Sequence, residues 1–431
     1  MKGFRYLGVS GLALLVTVGV GMTALNRTAE AQGAPSYRNV PLWPQPFRDD
    51  SWVYGSITGV ATDAQNNVWV VHRGNDSLEG NEKGMLNMPQ NTPPTAPSSS
   101  VCCMAAPFVL QFDPAGKLLQ AWGGPSMAYG WPQTPGGITV DSKGNVWIAA
   151  AGQDAAPPVA GRRGAPPAAA ADAPAGRGRG AAAPAGPPPA DAQVLKFSND
   201  GRFLLQIGTP GKMDGPDSQT TLNRPSATAY DAGANEVYVA DTGNHRIVVF
   251  DADKGTYKRH WGGNGEKPTA DGAGAYDPNA APSRQFRDPT CVEIARDGNV
   301  YVCDRISNRI QVFDKSGKFI REGIVAKNTT GVTVTLGGGA QGVINARGSV
   351  WDIAFSNDAA QQYVYVADGT NKKIRVLRRD TFAEVGTIGN GGGRYPGQFL
   401  VVDAVASDAQ GNVYTGETHH GKRVQKFVPG R

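Results

Sequence analysis

The chain reads Asn299-Val300-Tyr301-Val302 and, after a polar turn, Ile310-Gln311-Val312-Phe313, and it repeats this pair of strands six times. Each strand is short and rich in β-branched and aromatic residues, and Gly, Asp and Asn separate the strands. The other copies begin at Asn67, Asn145, Glu236, Gln362 and Asn412 for the first strand, and at Val109, Val194, Ile247, Ile374 and Val424 for the second. One such unit cannot bury its sheet face alone, so the copies must stack. A four-stranded unit of about 40 residues predicts an all-β, six-bladed β-propeller.

The sixth copy ends after its third strand at Phe427, which leaves the last blade without an outer strand. We expect the segment from Tyr37 to Pro46 to supply this strand, because the pairing closes the ring and removes two free sheet edges. The blades are predicted to begin near Ile57, Gly136, Pro225, Pro289, Val350 and Val402.

Two insertions, 75–106 and 152–192, interrupt the repeat. The second consists almost entirely of Ala, Pro, Gly and Arg and is predicted to be disordered. Both follow the second strand of neighbouring blades, so they emerge on one face of the propeller. They either shade the mouth of the central channel or are tolerated surface extensions.

The N-terminus has the pattern of an export signal. Lys2 and Arg5 precede an apolar run that ends at Leu25, and Ala29-Glu30-Ala31 follows as a processing site. Residues 1–31 are therefore predicted to be a signal peptide, and 37–431 a periplasmic or extracellular propeller. The apolar run is also long enough for an uncleaved membrane anchor. The net charge of +5 falls to about +3 without the signal, which is too low to indicate a nucleic-acid partner.

Four cysteines in an exported chain favour disulfides. If Ile294 pairs with Val300 across the turn at Asp297, Cys291 lies opposite Cys303, within reach of a cross-strand bridge. The adjacent Cys102 and Cys103 form a vicinal disulfide, bridge other chains or stay reduced. The sequence leaves three full pairings open.

Polar turns recur on the face that carries the insertions. In four of them an acid precedes a base by five residues: Asp241 and Arg246, Asp304 and Arg309, Asp368 and Lys373, and Glu417 and Lys422. The acid is expected to hold the amides of the turn while the base pairs with it or with the next blade. Together the basic side chains of this face predict a mouth that suits an anionic ligand, formed by His72, Arg73, His245, Arg246, Arg305, Lys372, His419, His420 and Lys422.

Two stretches carry a family resemblance. The run from Asp288-Pro289 through Asn299-Val300-Tyr301 to Phe313 resembles NHL repeats. Gly59-Val60-Ala61-Thr62-Asp63, followed by Val71-His72-Arg73-Gly74, is similar to the first blade of the peptidyl-α-hydroxyglycine α-amidating lyases. That resemblance implies a secreted six-bladed NHL propeller related to enzymes that cleave a carbinolamide to a peptide amide and glyoxylate.

The lyases hold zinc with three channel histidines and use a catalytic arginine and tyrosine. The resemblance places the arginine on Arg73, but the histidine positions read Gly136, Thr290 and Val402. The loop after Asp241, where the tyrosine belongs, contains none. A catalytic zinc site needs about three protein ligands, so zinc is not expected here.

Calcium is the cofactor that the resemblance favours. The structural calcium of the lyases is held by one aspartate, which matches Asp403, and by backbone carbonyls that match Val60 and Ile138. A carboxylate in a narrow channel is costly unless it is paired or metal-bound. The alternative is an Asp403 carboxylate linked to water or paired with Arg73.

Two hypotheses follow. The first is an exported propeller that binds a peptide, a glycan, a small anion or another exported protein without chemistry. The second is a lyase-like enzyme with its site rebuilt around Arg73, His72 and Asp403. We favour the first, because a fold does not carry a function whose site residues are missing.

Overall fold

The computed structural model describes residues 35–79, 82, 103–151, 191–335, 341–345 and 347–430. The predicted signal peptide, nearly all of the 152–192 insertion and residues 83–102 of the other insertion lie outside the described residues. Within the described ranges the chain is built of β strands, with short 3-10 turns at Gly74–Ser77, Thr242–Asn244 and Gly263–Gly265.

Six four-stranded antiparallel sheets form the blades of a propeller, which confirms the predicted fold class. From the channel outward, blade one contains Ile57–Thr62, Val68–His72, Val109–Phe112 and Leu118–Trp122; blade two contains Pro135–Val140, Val146–Ala150, Gln193–Phe197 and Phe203–Gly208; and blade three contains Pro225–Asp231, Glu236–Asp241, Arg246–Asp251 and Tyr257–Trp261. Blade four contains Pro289–Ile294, Val300–Asp304, Arg309–Phe313 and Phe319–Ile324; blade five contains Asp352–Phe355, Tyr363–Asp368, Lys373–Arg378 and Glu384–Ile388; and blade six contains Val402–Ser407, Val413–Glu417, Val424–Pro429 and Tyr37–Asn39.

The N-terminal strand closes the ring, as predicted. Tyr37 pairs with Pro429 and Asn39 with Phe427, antiparallel to the last strand of the chain. Blade six thus combines both ends of the described chain, and no blade is left with only three strands.

Each boundary between neighbouring blades has its own hydrophobic cluster. Trp69 and Ile138 belong to the cluster between blades one and two, and Tyr301 and Phe355 to that between blades four and five. Because every sheet is sandwiched between two others, the second strand of a blade is buried on both faces, and nearly all of its residues are inaccessible to solvent. This explains why the repeat is apolar and aromatic throughout its second strand.

Hydroxyl groups link the inner strands around the channel. A Thr or Ser side chain of one inner strand donates to a backbone carbonyl of the next at all six boundaries: Thr58 to Pro135 and Gly136, Thr139 to Thr228, Ser226 to Thr290, Thr290 to Trp351, Ser407 to Phe355, and Thr62 to Ser407. These bonds satisfy carbonyls on the channel side of the inner strands, which have no neighbouring strand on that edge.

Blade four contains the predicted cross-strand disulfide. Ile294 pairs with Val300 and Cys291 with Cys303, and the two cysteines are bonded with their Cα atoms 4.9 Å apart. Both cysteines are buried. Cys102 lies outside the described residues.

Two small elements border the face on which the inner strands begin. Trp52–Val53 pairs in parallel with Met104–Ala105, where the first insertion returns to blade one. A hairpin of Gly331–Thr335 and Gln341–Asn345 lies in the connection between blades four and five. The second of these elements ends just before Arg347, which reaches the channel.

Candidate functional site

The channel opens into a cavity of about 110 Å³ at the end where the inner strands begin. Inner strands of all six blades line it, with Thr58, Gly137, Ser226, Thr290 and Asp403 among the wall residues. A second cavity occupies the opposite half of the channel, and Glu293 lines both. Glu293 therefore marks the boundary between the two halves.

Five basic side chains line the first cavity, and we call them the cationic rim: Arg73, Arg224, Arg305, Arg347 and His419. Three of them directly follow the second strand of blades one, four and six, and the other two precede the inner strands of blades three and five. Each of five blades thus contributes one basic residue to the cavity. Since arginine stays charged at any ordinary pH, the rim is a strongly positive opening.

Neighbouring side chains fix the position of the rim. The Nε and Nη2 atoms of Arg305 donate to Oδ2 of Asp288 at 2.8 and 2.6 Å, and its guanidinium lies 4.9 Å from the centre of the Trp351 ring. The Nη1 atom of Arg347 donates to Nε2 of His419 at 3.2 Å, so this imidazole accepts there as a neutral ring.

Three carboxylates face the same cavity, and we call them the acidic floor: Asp403, Asp352 and Glu293. They lie at successive depths. Asp403 is the bulged residue near the start of the inner strand of blade six. When the inner strands are aligned by their pairing, Asp352 of blade five lies one residue deeper than Asp403. Glu293 of blade four lies two residues deeper than Asp352. At about 3.3 Å per residue, the floor extends over about 10 Å of the channel.

Burial changes the acidity of the floor. The protein around Asp352, together with the nearby Asp403 carboxylate, raises the pKa of Asp352 to about 7, although the backbone N–H of Val405 donates to its Oδ2 at 2.9 Å. Burial and the neighbouring Asp352 raise the pKa of Glu293 well above its usual range. No hydrogen bond or ion pair reaches the Glu293 carboxylate from any residue that the structure describes.

The hydroxyl group of Thr418, at the rim, has no hydrogen-bond partner among the described residues. Thr418 lines the cavity next to His419 and is 1% exposed, and its Oγ1 makes no hydrogen bond within the described part of the chain. A buried hydroxyl without a partner costs free energy, which a bound ligand would recover.

Three of the nine predicted mouth residues reach the cavity and six do not. Arg305 and His419 line it, as does the predicted catalytic residue Arg73. His245 instead bonds the carbonyl of Arg287 at 2.9 Å on the outer part of the face, and Lys372 is exposed at the tip of a turn, outside this cavity.

Arg246 is fully buried and lies away from the cavity, contrary to its predicted place at the mouth. It pairs with Asp241 at 2.8 Å and donates to the carbonyls of Pro216, Ser218 and Thr221. The polar turns therefore fasten each blade to the connection that enters it, which agrees with the structural role expected for them.

The acid of each polar turn is paired with an arginine, which in two blades is not the base five residues on. Asp304 pairs with Arg309 as expected. Asp368 pairs with Arg375 rather than Lys373, and Glu417 with Arg423 rather than Lys422. In both cases an arginine later in the third strand reaches the carboxylate. Lys422 instead pairs with Glu82 in the insertion of the neighbouring blade one, which was the other expected role of these bases.

His72 is buried beside the cavity rather than at its mouth. Its Nδ1 accepts from the backbone N–H groups of Gly55 and Gly74 at 3.2 and 3.1 Å, so Nε2 carries the proton and donates to the carbonyl of Pro107 at 2.9 Å. These three bonds suit only the neutral ring. Burial accordingly lowers the pKa of His72 to about 4. The side chain holds the turn that presents Arg73.

The buried His72 predicts an acid-sensitive fold. An unfolded histidine has a pKa of about 6.5, so unfolding takes up a proton between that pH and about 4. The stabilisation is complete above pH 6.5 and is lost as the pH falls. We expect the stability of His72→Gln to depend on pH in this window with a slope about one proton smaller than that of the parent chain, measured by denaturant unfolding. His420→Gln, at an exposed position, should retain the parent slope; equal slopes for all three proteins would contradict the assignment.

Four residues of the site were missed by the sequence prediction: Arg224, Glu293, Arg347 and Thr418. For Glu293 the repeat contains a signal. The inner-strand residue opposite the aromatic residue of the second strand is Ala61, Thr139, Ala229, Ala354 or Ala406 in the other blades and Glu293 in blade four. An acidic residue at a position that holds a small residue in the other five blades indicates a specific role for Glu293.

The calcium ligands predicted from the resemblance are brought together in part. Val60, Ile138 and Asp403 line the same cavity. Among the described residues no group of three or more His, Cys, Asp and Glu side chains is arranged to hold a metal ion.

Comparison with known proteins identifies the repeat. Residues 222–250 and 286–313 match the NHL repeat model. The chain contains NHL repeats. The two matched segments cover the first, second and third strands of blades three and four.

Curated relatives share part of the chain. Protein brain tumor of Drosophila melanogaster is 29% identical over 136 residues, 31% of this chain and 11% of that protein. The human NHL repeat-containing protein 3 is 34% identical over 134 residues, 28% of this chain and 31% of that protein. The chain thus spans less than a third of the length of each of these relatives.

Solved structures align with most of the chain at TM-scores below 0.5. A streptogramin B lyase covers 92% of this chain and 97% of its own length with a TM-score of 0.45 and 10% identity. A Bacteroides thetaiotaomicron protein of unknown function gives a TM-score of 0.48 and 11% identity, covering 92% of this chain and 73% of that one. In the described ranges no helix is long and apolar enough to cross a membrane.

Proposed function

We propose that this NHL-repeat propeller is an exported binding protein that holds a small anion, or the anionic group of a larger ligand, at the cationic rim. The observation that carries the proposal is the convergence of Arg73, Arg224, Arg305, Arg347 and His419 on one cavity. Guanidinium groups present several N–H donors to carboxylate and phosphate oxygens. The partnerless hydroxyl of Thr418 adds a further donor at the same place.

Several observations support binding rather than the lyase-like alternative. The rebuilt active site would need Arg73, His72 and Asp403 to act together, but both ring nitrogens of His72 are already bonded to the backbone. The buried disulfide is compatible with export. The relation to the amidating lyases, without their zinc chemistry, belongs to this proposal, as does a structural calcium ion at Asp403.

The charge and the fixed position of the rim also determine how an anionic ligand approaches. Trp351 lies under Arg305 with its ring nitrogen bonded to the carbonyl of Gly348 at 2.9 Å, so the rim sits on a fixed aromatic base. A positive opening raises the rate of association of anions at low ionic strength. Binding should therefore weaken as salt is added.

The direct experiment is calorimetric titration of the mature chain with inorganic phosphate at low ionic strength. We expect saturable binding with one site per chain. Substitutions in the rim, treated in the Discussion, should remove it. A chain that shows no heat with phosphate and none with small carboxylates would contradict the proposal.

A further inference from the structure

The cavity is positive at its rim and lined by carboxyl groups at its floor. The four rim arginines and the floor residues Asp352 and Glu293 line one continuous space. An anion bound at the rim is attracted by the arginines, and the carboxyl groups of the floor offer it no such attraction. It therefore stays at the opening, and the deeper space suits a group of the opposite kind.

We propose that the ligand is a small linear zwitterion, whose anionic end contacts the cationic rim and whose ammonium end lies between Asp352 and Glu293. This inference rests on the proposed function. It assigns to the same cavity a chemical class of ligand, the ω-amino acids and molecules built like them. An ammonium group is the natural partner for two carboxylates that face a narrow space and lie close enough to interact.

The floor is a departure from the repeat rather than part of it. Glu293 occupies a position where four other blades carry alanine and one carries threonine. Asp352 likewise lies opposite Ala367, where the equivalent inner-strand residues are Gly59, Ala227, Cys291 and Ala404. Small residues occupy both positions in the other blades, so the repeat itself does not call for an acid at either place.

The depth of the floor sets the length of the ligand. Glu293 lies three residues further along its strand than the level of Asp403, a distance of about 10 Å. An α-amino acid is too short to reach from the rim to Glu293. A chain of several methylene groups between the two charged ends reaches both, and the inner-strand walls offer it the apolar surfaces of Val60, Ile138 and Val405.

The experiment compares matched probes on the full mature chain after treatment with EDTA. Calorimetric titrations use 6-aminohexanoate, hexanoate, glycine and inorganic phosphate. We expect 6-aminohexanoate to bind at least about 10-fold more tightly than hexanoate, because each charge-assisted hydrogen bond contributes on this scale. Glycine should bind no better than hexanoate.

The matched variant is Glu293→Ala with Asp352→Ala, which places in blades four and five the residue that the repeat uses elsewhere. It should fold, as judged by circular dichroism, and bind hexanoate and 6-aminohexanoate within about 2-fold of each other. The control Asp380→Ala, at an exposed position outside the cavity, should keep the parent preference.

The outcomes separate the two proposals. If hexanoate and phosphate bind and 6-aminohexanoate binds no better than hexanoate, the zwitterion is wrong and the anion site stands. A preference that persists in the double alanine variant also overturns the zwitterion assignment. If none of the four probes binds, the proposed function itself fails.

Discussion

Alanine in place of Asp304 is expected to lower the free energy of unfolding by about 3–5 kcal/mol. The carboxylate is fully buried, accepts from the backbone N–H groups of Arg287 and Asp288 at 2.9 Å each, and pairs with Arg309 at 2.9 Å. Its loss leaves two backbone amides without this acceptor, and the guanidinium of Arg309, which is 1% exposed, keeps Glu322 at 3.0 Å as its carboxylate partner among the described residues. Buried donors that lose an acceptor and a buried charge that loses one of two partners both destabilise the folded state.

Chemical denaturation of the parent chain and of Asp304→Ala measures this difference. Asp380→Ala is the matched control, because Asp380 pairs with Arg378 at 3.2 Å on the surface, where both side chains are more than half exposed. That variant should lose less than about 1 kcal/mol. Equal losses for the two substitutions would show that the polar turns are not what fastens the blades to their connections.

Replacement of two rim arginines is expected to weaken phosphate binding about 100-fold or more. Arg73→Gln with Arg347→Gln removes two cationic donors from opposite connections of the ring while it keeps side chains of similar length. Hydrogen bonds to charged groups contribute about 1.5–3 kcal/mol each, and every 1.4 kcal/mol is tenfold in affinity. Arg305 is left in place because its guanidinium pairs with Asp288 and its loss would disturb the wall.

Calorimetry with inorganic phosphate compares this variant with Arg202→Gln/Arg378→Gln, which carries the same change of net charge at exposed positions outside the cavity. The control should bind within about 2-fold of the parent chain, since distant surface charges are screened. A control that loses as much affinity as the rim variant would mean that net charge, and not the rim, attracts the anion.

The repeat pattern was sufficient to predict the architecture. Short strands such as Val300–Asp304 alternate with polar turns, and stacking is their only way to bury both faces, so six copies imply six blades. The missing outer strand after Phe427 identified the N-terminal segment as its replacement. The pairing of Cys291 with Cys303 followed from hairpin register alone.

The site was harder to predict, for physical reasons. A basic residue at the end of a second strand can face the channel, as Arg73 does, or turn into the blade, as His72 does one residue earlier. Arg246 begins a third strand, so its side chain enters the connection between blades. Arg224 and Arg347 lie in connections whose course no local pattern determines.

The floor was partly visible in the sequence. Asp403 was recognised as a channel carboxylate, whereas Glu293 became evident only from the pairing of each inner strand with its neighbour. A comparison of the six copies column by column separates such residues from those that the repeat requires. The binding roles of Arg73, Arg305 and His419, and the calcium ligands, stay predictions.

The central claim is that the cationic rim holds an anion, and the most direct measurement is the position of a bound selenate ion in crystals of the mature chain. Anomalous scattering from selenium locates the ion independently of any assumption about the site. We predict a peak inside the channel mouth, within hydrogen-bonding distance of rim guanidinium groups and near Oγ1 of Thr418. Selenate bound only elsewhere on the protein, with the rim empty at a saturating concentration, would contradict the account.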